Sequence, residues 1–296
     1  MSNIKIHFAA GENLILASLL KEAGINYTLG AVYSHIINQY QKSEKTFDKE
    51  VINYWKKNFK GTILDSGIFT LIYGGNKTNW EEDVWDKWLE TLVQFIQETG
   101  YTGYPVEVDA QKIIGAEATW RLRHKMADAL PNHEVITVWH PQDGQKGLDR
   151  LIEFSDYISF SVQELRKIKG IDHKQYATRM ASYIKNKKPD IKIHLLACTE
   201  MQLIRDLNFC TSADSTSWLQ VNKFGALKTI QQGEVKTIRK DEIIKSLPDY
   251  YERVSSTFKE MTGREITEKT LQNNAGYLLA LEELLKIYSY FAGPQD

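Results

Sequence analysis

Short apolar runs rich in β-branched residues recur along this chain, each separated from the next by a stretch of helical periodicity. The runs fall at residues 4–9, 27–32, 62–64, 105–108, 135–139, 157–161, 191–197 and 211–213. The stretches between them are long enough for the crossovers that parallel strands need. The clearest helix covers 79–99, where Asn79 can act as the cap and Glu82 can close a capping box. Its Trp85, Trp88, Leu89, Leu92 and Ile96 recur at helical spacing and read as core packing. Eight strands alternating with helices over about 220 residues predict a (β/α)8 TIM-type barrel, a fold of about 250 residues. A doubly wound open sheet gives a similar string. No glycine-rich dinucleotide fingerprint follows the first strand, where Ala9-Ala10-Gly11-Glu12-Asn13 stands, and Gly74-Gly75-Asn76-Lys77-Thr78 lacks phosphate-loop spacing and reads as a turn. Beyond Gly233 the alternation ends and two helices are predicted, over 241–261 and 267–291. The second carries Leu271, Ala275, Leu278, Leu281, Leu285 and Tyr288 on one broad face. The predicted fold class is thus α/β, with a barrel over 1–235 and a C-terminal helical extension over 236–296 packed against it.

Composition narrows the partners and the compartment. At 296 residues the chain is long enough for a large core, and a net charge of −1 provides no overall basic field. Arg166-Lys167-Ile168-Lys169 and Lys185-Asn186-Lys187-Lys188 read as solvated helix ends. Two cysteines, Cys198 and Cys210, make neither a disulfide framework nor a cysteine-rich zinc site, and the seven histidines are scattered, so no metal or cofactor is expected. Met1-Ser2-Asn3-Ile4 runs straight into a strand and is no signal peptide. No apolar stretch approaches the ~20 residues of a membrane span, and a cytoplasmic protein is expected.

Barrel enzymes carry their chemistry at the carboxyl ends of the strands. Those positions hold Asp65, Asp109, His140, Ser161 and Gln163, Thr199, and Asp214. A carboxylate where a buried strand meets a loop is costly to desolvate, so it has a structural partner or a chemical task. Structural alternatives stand beside each. Asp65 suits a turn cap over Ser66-Gly67, Asp214 a helix N-cap, Asp109 a strand-end salt bridge, and His140 a packed loop position. Arg121, Arg123 and His124 share one helical stretch and read as surface.

At Asp65-Ser66-Gly67-Ile68-Phe69-Thr70 and Asp214-Ser215 the chain resembles the tRNA-guanine transglycosylase superfamily, nearest its DNA-directed, 7-deazaguanine-inserting relatives. That family carries Asp-Ser-Gly-Gly-Phe-Gln after one strand and a nucleophilic aspartate late in the barrel. The resemblance implies that Asp214 attacks C1′ of a nucleotide, that Asp65 manages the base edge, and that Asp109 reads the base with Phe69 packed on it. Ser66, Gly67, His140, Ser161 and Gln163 would complete the pocket. The zinc cluster of the tRNA enzymes is missing, and Ser159-Phe160-Ser161-Val162-Gln163-Glu164 replaces the segment that shapes their guanine pocket. A nucleic-acid partner follows, DNA favoured over tRNA, with the target base flipped into the barrel mouth.

The expected activity is a DNA glycosylase that removes a modified base, in an anti-phage setting. A transglycosylase exchanging guanine for a 7-deazaguanine is the alternative. A metal-dependent hydrolase using Asp65, Asp109 and His140 is a further enzyme reading, and a catalytically inactive barrel that only binds nucleic acid or a protein is the rival of another class.

Overall fold

The computed structural model describes residues 4–32, 49–68, 84–198, 200–221, 226–239 and 250–295. In chain order these form β1 (Lys5–Phe8), α1 (Leu14–Glu22), β2 (Tyr27–Ala31), α2 (Lys49–Asn58), β3 (Gly61–Asp65), α3 (Val84–Thr99), β4 (Tyr104–Pro105), α4 (Gln111–Ile114) and α5 (Ala116–Ala129). They continue with β5 (Thr137–Trp139), α6 (Gly144–Phe154), β6 (Tyr157–Ser161), α7 (Val162–Leu165), α8 (His173–Lys187), β7 (Lys192–Leu196), α9 (Met201–Asp206) and β8 (Ser212–Ser215). A hairpin of β9 (Ala226–Gln231) and β10 (Glu234–Arg239) follows, and then α10 (Tyr250–Thr262) and α11 (Glu268–Ala292). The proposed cap at Asn79, the capping-box Glu82, Gly74 to Thr78, Phe69, Thr70 and Thr199 lie outside the described residues.

All eight predicted barrel strands are present. They are parallel and ordered β4-β3-β2-β1-β8-β7-β6-β5. The ring closes at a thin seam between β4 and β5, where Val106 bridges Ile136, Glu107 N–H donates to Ile136 O at 3.0 Å and Ile136 N–H donates to Pro105 O at 2.8 Å. Pro105 has no N–H to offer this ladder. A buried ion pair stitches the seam instead. Arg123 of α5 donates to both Glu107 oxygens, at 2.5 and 2.6 Å, and to Val138 O at 3.2 Å, while Glu107 accepts from Val138 N–H at 2.8 Å. Arg123 is therefore not a surface residue. It lies one helical turn from Trp120 and Met126, which are also buried, whereas Arg121 and His124 are exposed.

Two apolar cores flank the strands. Outside the ring, Trp55, Trp85, Trp88, Trp139 and Phe160 pack between strands and helices, and α3 buries the tryptophan stripe its periodicity predicts. Inside, Ile63, Val106, Ile136, Val138 and Tyr157 form a plug, with Leu29, Tyr104 and Leu196 against it. The inner plug occupies one side of the barrel only. On the other side the inward positions of β1, β7 and β8 are His7, His194, Ser212 and Asp214, all buried.

The C-terminal helices are fastened to the barrel. Tyr288 of α11 stacks edge-on against Phe8 and donates to Ser215 Oγ at 2.9 Å, and Gln295 bonds both Ile6 N and Ile4 O on β1. The hairpin was not expected, because alternation was read as ending at Gly233. Its two-residue turn is Gln232-Gly233, at φ 52° and 82°, the left-handed pair that matches the twist of a tight hairpin. It straddles position 235 and packs on α11, with Thr229 Oγ1 donating to Glu283 at 2.5 Å. No described helix is long and apolar enough to cross a membrane.

Candidate functional site at the barrel mouth

The carboxyl ends of the strands bring Asp65, Asp109, His140 and Asp214 to one mouth. Asp65 ends β3, where its Oδ1 accepts from Gly67 N–H at 2.6 Å, a turn that needs the left-handed φ of 79° at Gly67. Ser66 is buried beside it and its carbonyl accepts from the Trp88 indole at 2.8 Å, which fixes the turn to α3. Burial pushes the Asp65 carboxyl up to about 6. The Gly67 N–H works against this, while the charges of Asp214 and then Asp109 add to it. Asp65 thus caps its turn and also faces two other aspartates.

Asp214 on β8 is 7% exposed. Its Oδ1 accepts from Ala197 N–H at 2.7 Å and lies 3.2 Å from His194 Nε2. It does not cap a helix. Ala197 holds that N–H in place with a left-handed φ of 53°, and Ala10, at the carboxyl end of neighbouring β1, stands at 75°. Alanine in this region costs energy and tends to be kept where a site needs it. Among the described residues, Oδ2 of Asp65 and Oδ2 of Asp214 have no hydrogen-bond partner.

The opposite rim is a clamp. His140 is 3% exposed, with Nε2 2.8 Å from Asp109 and Nδ1 3.0 Å from Glu164. Burial alone would lower its pKa, but the hydrogen bonds and charges of Asp109 and Glu164 outweigh burial and push it up to about 10. Burial likewise opposes the charge of Glu164, yet His140 and Lys112, whose Nζ is 3.0 Å away, hold that carboxyl down at about 2. Ser161 caps α7, accepting from Glu164 N–H at 3.2 Å, and Gln163 is exposed. Glu164, one residue on, reaches the ring, and reading strand ends alone passed over it. Glu12, after β1, is the other carboxylate that was missed. It accepts from Ala31 N–H at 3.3 Å, and burial, with the charge of Asp65 adding, raises its pKa.

No group of three His, Cys, Asp or Glu among the described residues has the geometry to hold a metal ion. Both ring nitrogens of His140 are committed to carboxylates, so the hydrolase set of Asp65, Asp109 and His140 has no histidine nitrogen to offer a cation.

No family model and no curated protein matches the sequence. Among solved structures the chain is similar to CdNal from Clostridium difficile in complex with mannosamine, at 13% identity and TM-score 0.44, covering 98% of this chain and 99% of that one. It is similar to Proteus mirabilis N-acetylneuraminate lyase at 11% identity and TM-score 0.43, covering 96% and 99%. DHDPS from Cyanidioschyzon merolae with lysine bound follows at 9% and 0.41, covering 94% and 98%. At these identities the likeness concerns the barrel alone.

These findings correct the resemblance to the tRNA-guanine transglycosylase superfamily: the similar barrels are of a different superfamily, and none of the three is a base-exchanging enzyme. The DNA glycosylase, the transglycosylase and the inactive nucleic-acid-binding barrel fall with it, as do the nucleic-acid partner and the anti-phage setting. The mouth gives a physical reason. Asp65, Asp109, Asp214, Glu12 and Glu164 gather there against Lys112 and His140, an acidic opening that repels a phosphodiester backbone. Short motifs carried the resemblance, and Asp-Ser-Gly at a strand end is also what an aspartate-capped turn requires.

Proposed function

We propose that this chain is an enzyme that moves protons on a small polar molecule bound in the barrel mouth. Asp65 is the general acid–base and Asp214 the fixed anion opposite it. Ser66, Gly67, Asp109 and His140 shape the walls. The observation that carries this reading is Asp65, buried at the mouth and faced by Asp214. Asp65 is pushed up to about 6, where it gives and takes a proton near neutrality, and the charge of Asp214 contributes to that rise. A buried carboxyl raised in this way beside a second carboxylate marks a candidate acid–base. Abstraction of a proton beside a carbonyl and its return to the neighbouring atom lies within this chemistry. A reducing, cytoplasmic compartment suits the two buried free cysteines, Cys198 and Cys210.

Proton transfer leaves a mark that does not require the product to be known. The protein incubated in D2O with a panel of small keto acids, amines and polyols should place deuterium on at least one of them, read by mass spectrometry. Asp65→Asn should reduce that exchange by a factor of about 100 or more. Exchange at wild-type rate in both Asp65→Asn and Asp214→Asn would overturn the reading.

A further inference from the structure

Below the mouth, three hydrogen bonds, two of them short, run through the barrel interior and end on Asp214. Tyr157 Oη lies 2.6 Å from Ser212 Oγ, Ser212 Oγ lies 2.6 Å from His194 Nδ1, and His194 Nε2 lies 3.2 Å from Asp214 Oδ1. Tyr157, Ser212 and His194 are each no more than 1% exposed, so bulk water does not reach them. The donors can be assigned from the far end. Asp214 presents oxygen lone pairs, so Nε2 must carry a hydrogen or face them with a lone pair of its own. With one hydrogen on Nε2, neutral imidazole leaves Nδ1 as an acceptor, and Ser212 must donate to it. Ser212 has then spent its single hydrogen, and Tyr157 must donate to Ser212. Reversing the link to His194 leaves either the serine or the tyrosine hydrogen without an acceptor in a buried place, at the cost of an unmade bond.

We propose that Tyr157, Ser212 and His194 are positioning residues, a one-directional relay that holds His194 as a neutral donor so that the charge of Asp214 acts undiminished on Asp65. A second proton on His194 would need Nδ1 to become a donor, and the serine hydroxyl already aimed at it opposes that. The surroundings agree. His194 is faced by Asp214 and Ser212 from β8, by Tyr157 from β6, by Asp65 from β3 and by His7 from β1, whose ring centroid is 6.3 Å away. His7 has no hydrogen-bond partner on either nitrogen, and burial pushes it down to about 3. It brings no counter-anion to His194. A positive His194 would neutralise Asp214 and would itself draw the Asp65 proton affinity down.

This proposal deepens the acid–base reading, and its test needs no substrate. Long-range 1H–15N NMR should show His194 at neutral pH as the neutral Nε2–H tautomer. The Asp65 carboxyl, followed by 13C NMR, should titrate near its wild-type midpoint in Ser212→Thr, which keeps the hydroxyl. In Tyr157→Phe and Ser212→Ala the midpoint should fall by about 1 pH unit as His194 becomes free to charge. Tyr157→Phe fills the same space, so a tyrosine that only packs would leave the midpoint where it was. An imidazolium His194 in the wild type, or an Asp65 midpoint unmoved in both variants, overturns the relay. Either result leaves the acid–base reading intact, because deuterium exchange in Asp65→Asn tests that reading alone.

Discussion

His140, on one rim of the mouth, is wedged between two carboxylates, whereas His194 and His7, across the barrel, meet a single carboxylate between them. All three rings are buried to 3% exposure or less. Burial is therefore not what separates them. Asp109 and Glu164 both reach His140 and make it a cation well past neutrality; His7, with no partner, is kept neutral down to about 3. The contrast shows that the number of carboxylates reaching a ring decides its charge once water is excluded. It also divides the mouth into a clamp whose charges compensate one another and a relay side where the charge of Asp214 is left to act on Asp65.

The largest effect should come from emptying the clamp. His140→Leu leaves Asp109 and Glu164 facing each other, with Lys112 and Gln142 beside Glu164. Breaking such a buried pair costs about 3 kcal/mol or more, to be read as a lower urea midpoint. His7→Leu should act with the opposite sign. It removes two unbonded polar nitrogens from the barrel interior and should raise stability by about 1 kcal/mol. If both variants destabilise alike, the two rings are equivalent packing elements and the contrast fails.

The same two residues should bend the pH profile of stability in opposite directions. Folded His140, at about 10, holds its proton more tightly than an unfolded histidine at 6.5. Its contribution is full below about 6.5 and is lost as pH rises through 10. Folded His7, at about 3, refuses a proton that the unfolded chain accepts, so stability is lost as pH falls from about 6.5 toward 3. Urea unfolding across pH should therefore show a flatter alkaline limb in His140→Leu and a flatter acid limb in His7→Leu.

Much of this architecture could be read from the chain, and the reasons for what could not are specific. The eight strands announced themselves as β-branched runs, and Asp65, Asp109, His140 and Asp214 followed from counting to strand ends. His194 and His7 were hidden because each sits mid-strand, where side-chain direction depends on barrel register, and the Asp214 that His194 meets is 20 residues away. Glu164 was passed over for Gln163 because α7 starts immediately after β6, and a single helical step decides which side chain turns inward. Arg123 had a visible signal, its spacing from Trp120 and Met126, that was outweighed by charged neighbours. The hairpin had one too, in Gln232-Gly233.

Coupling across the mouth offers a sharper measurement. Asp214→Asn removes the charge that helps to raise Asp65 while keeping the shape of the side chain. The Asp65 midpoint should fall by about 1 unit from about 6 in a 13C titration. Asp109→Asn should move it in the same direction by less, since Asp109 contributes less than Asp214. No shift in either variant would mean that desolvation alone sets Asp65, and equal shifts would mean that the relay side holds no special charge.

The smallest effect concerns the backbone, where the two sides also differ. Near the clamp, the left-handed positions are the glycines Gly115 and Gly144; on the relay side they are Ala10 and Ala197. An L-residue pays about 1–2 kcal/mol for that conformation, and glycine pays about 0.5–1 kcal/mol in lost chain entropy. Ala197→Gly should therefore raise stability by about 0.5 kcal/mol. The variant keeps the N–H that binds Asp214 Oδ1 at 2.7 Å, so the Asp65 midpoint should stay within about 0.2 units of wild type on the linkage between charge and proton affinity. A gain in stability accompanied by a drifting Asp65 midpoint would show that the alanine methyl, and not only the amide it carries, holds Asp214 in register. A loss of stability would show that the turn is unstrained and that Ala197 was kept for its packing.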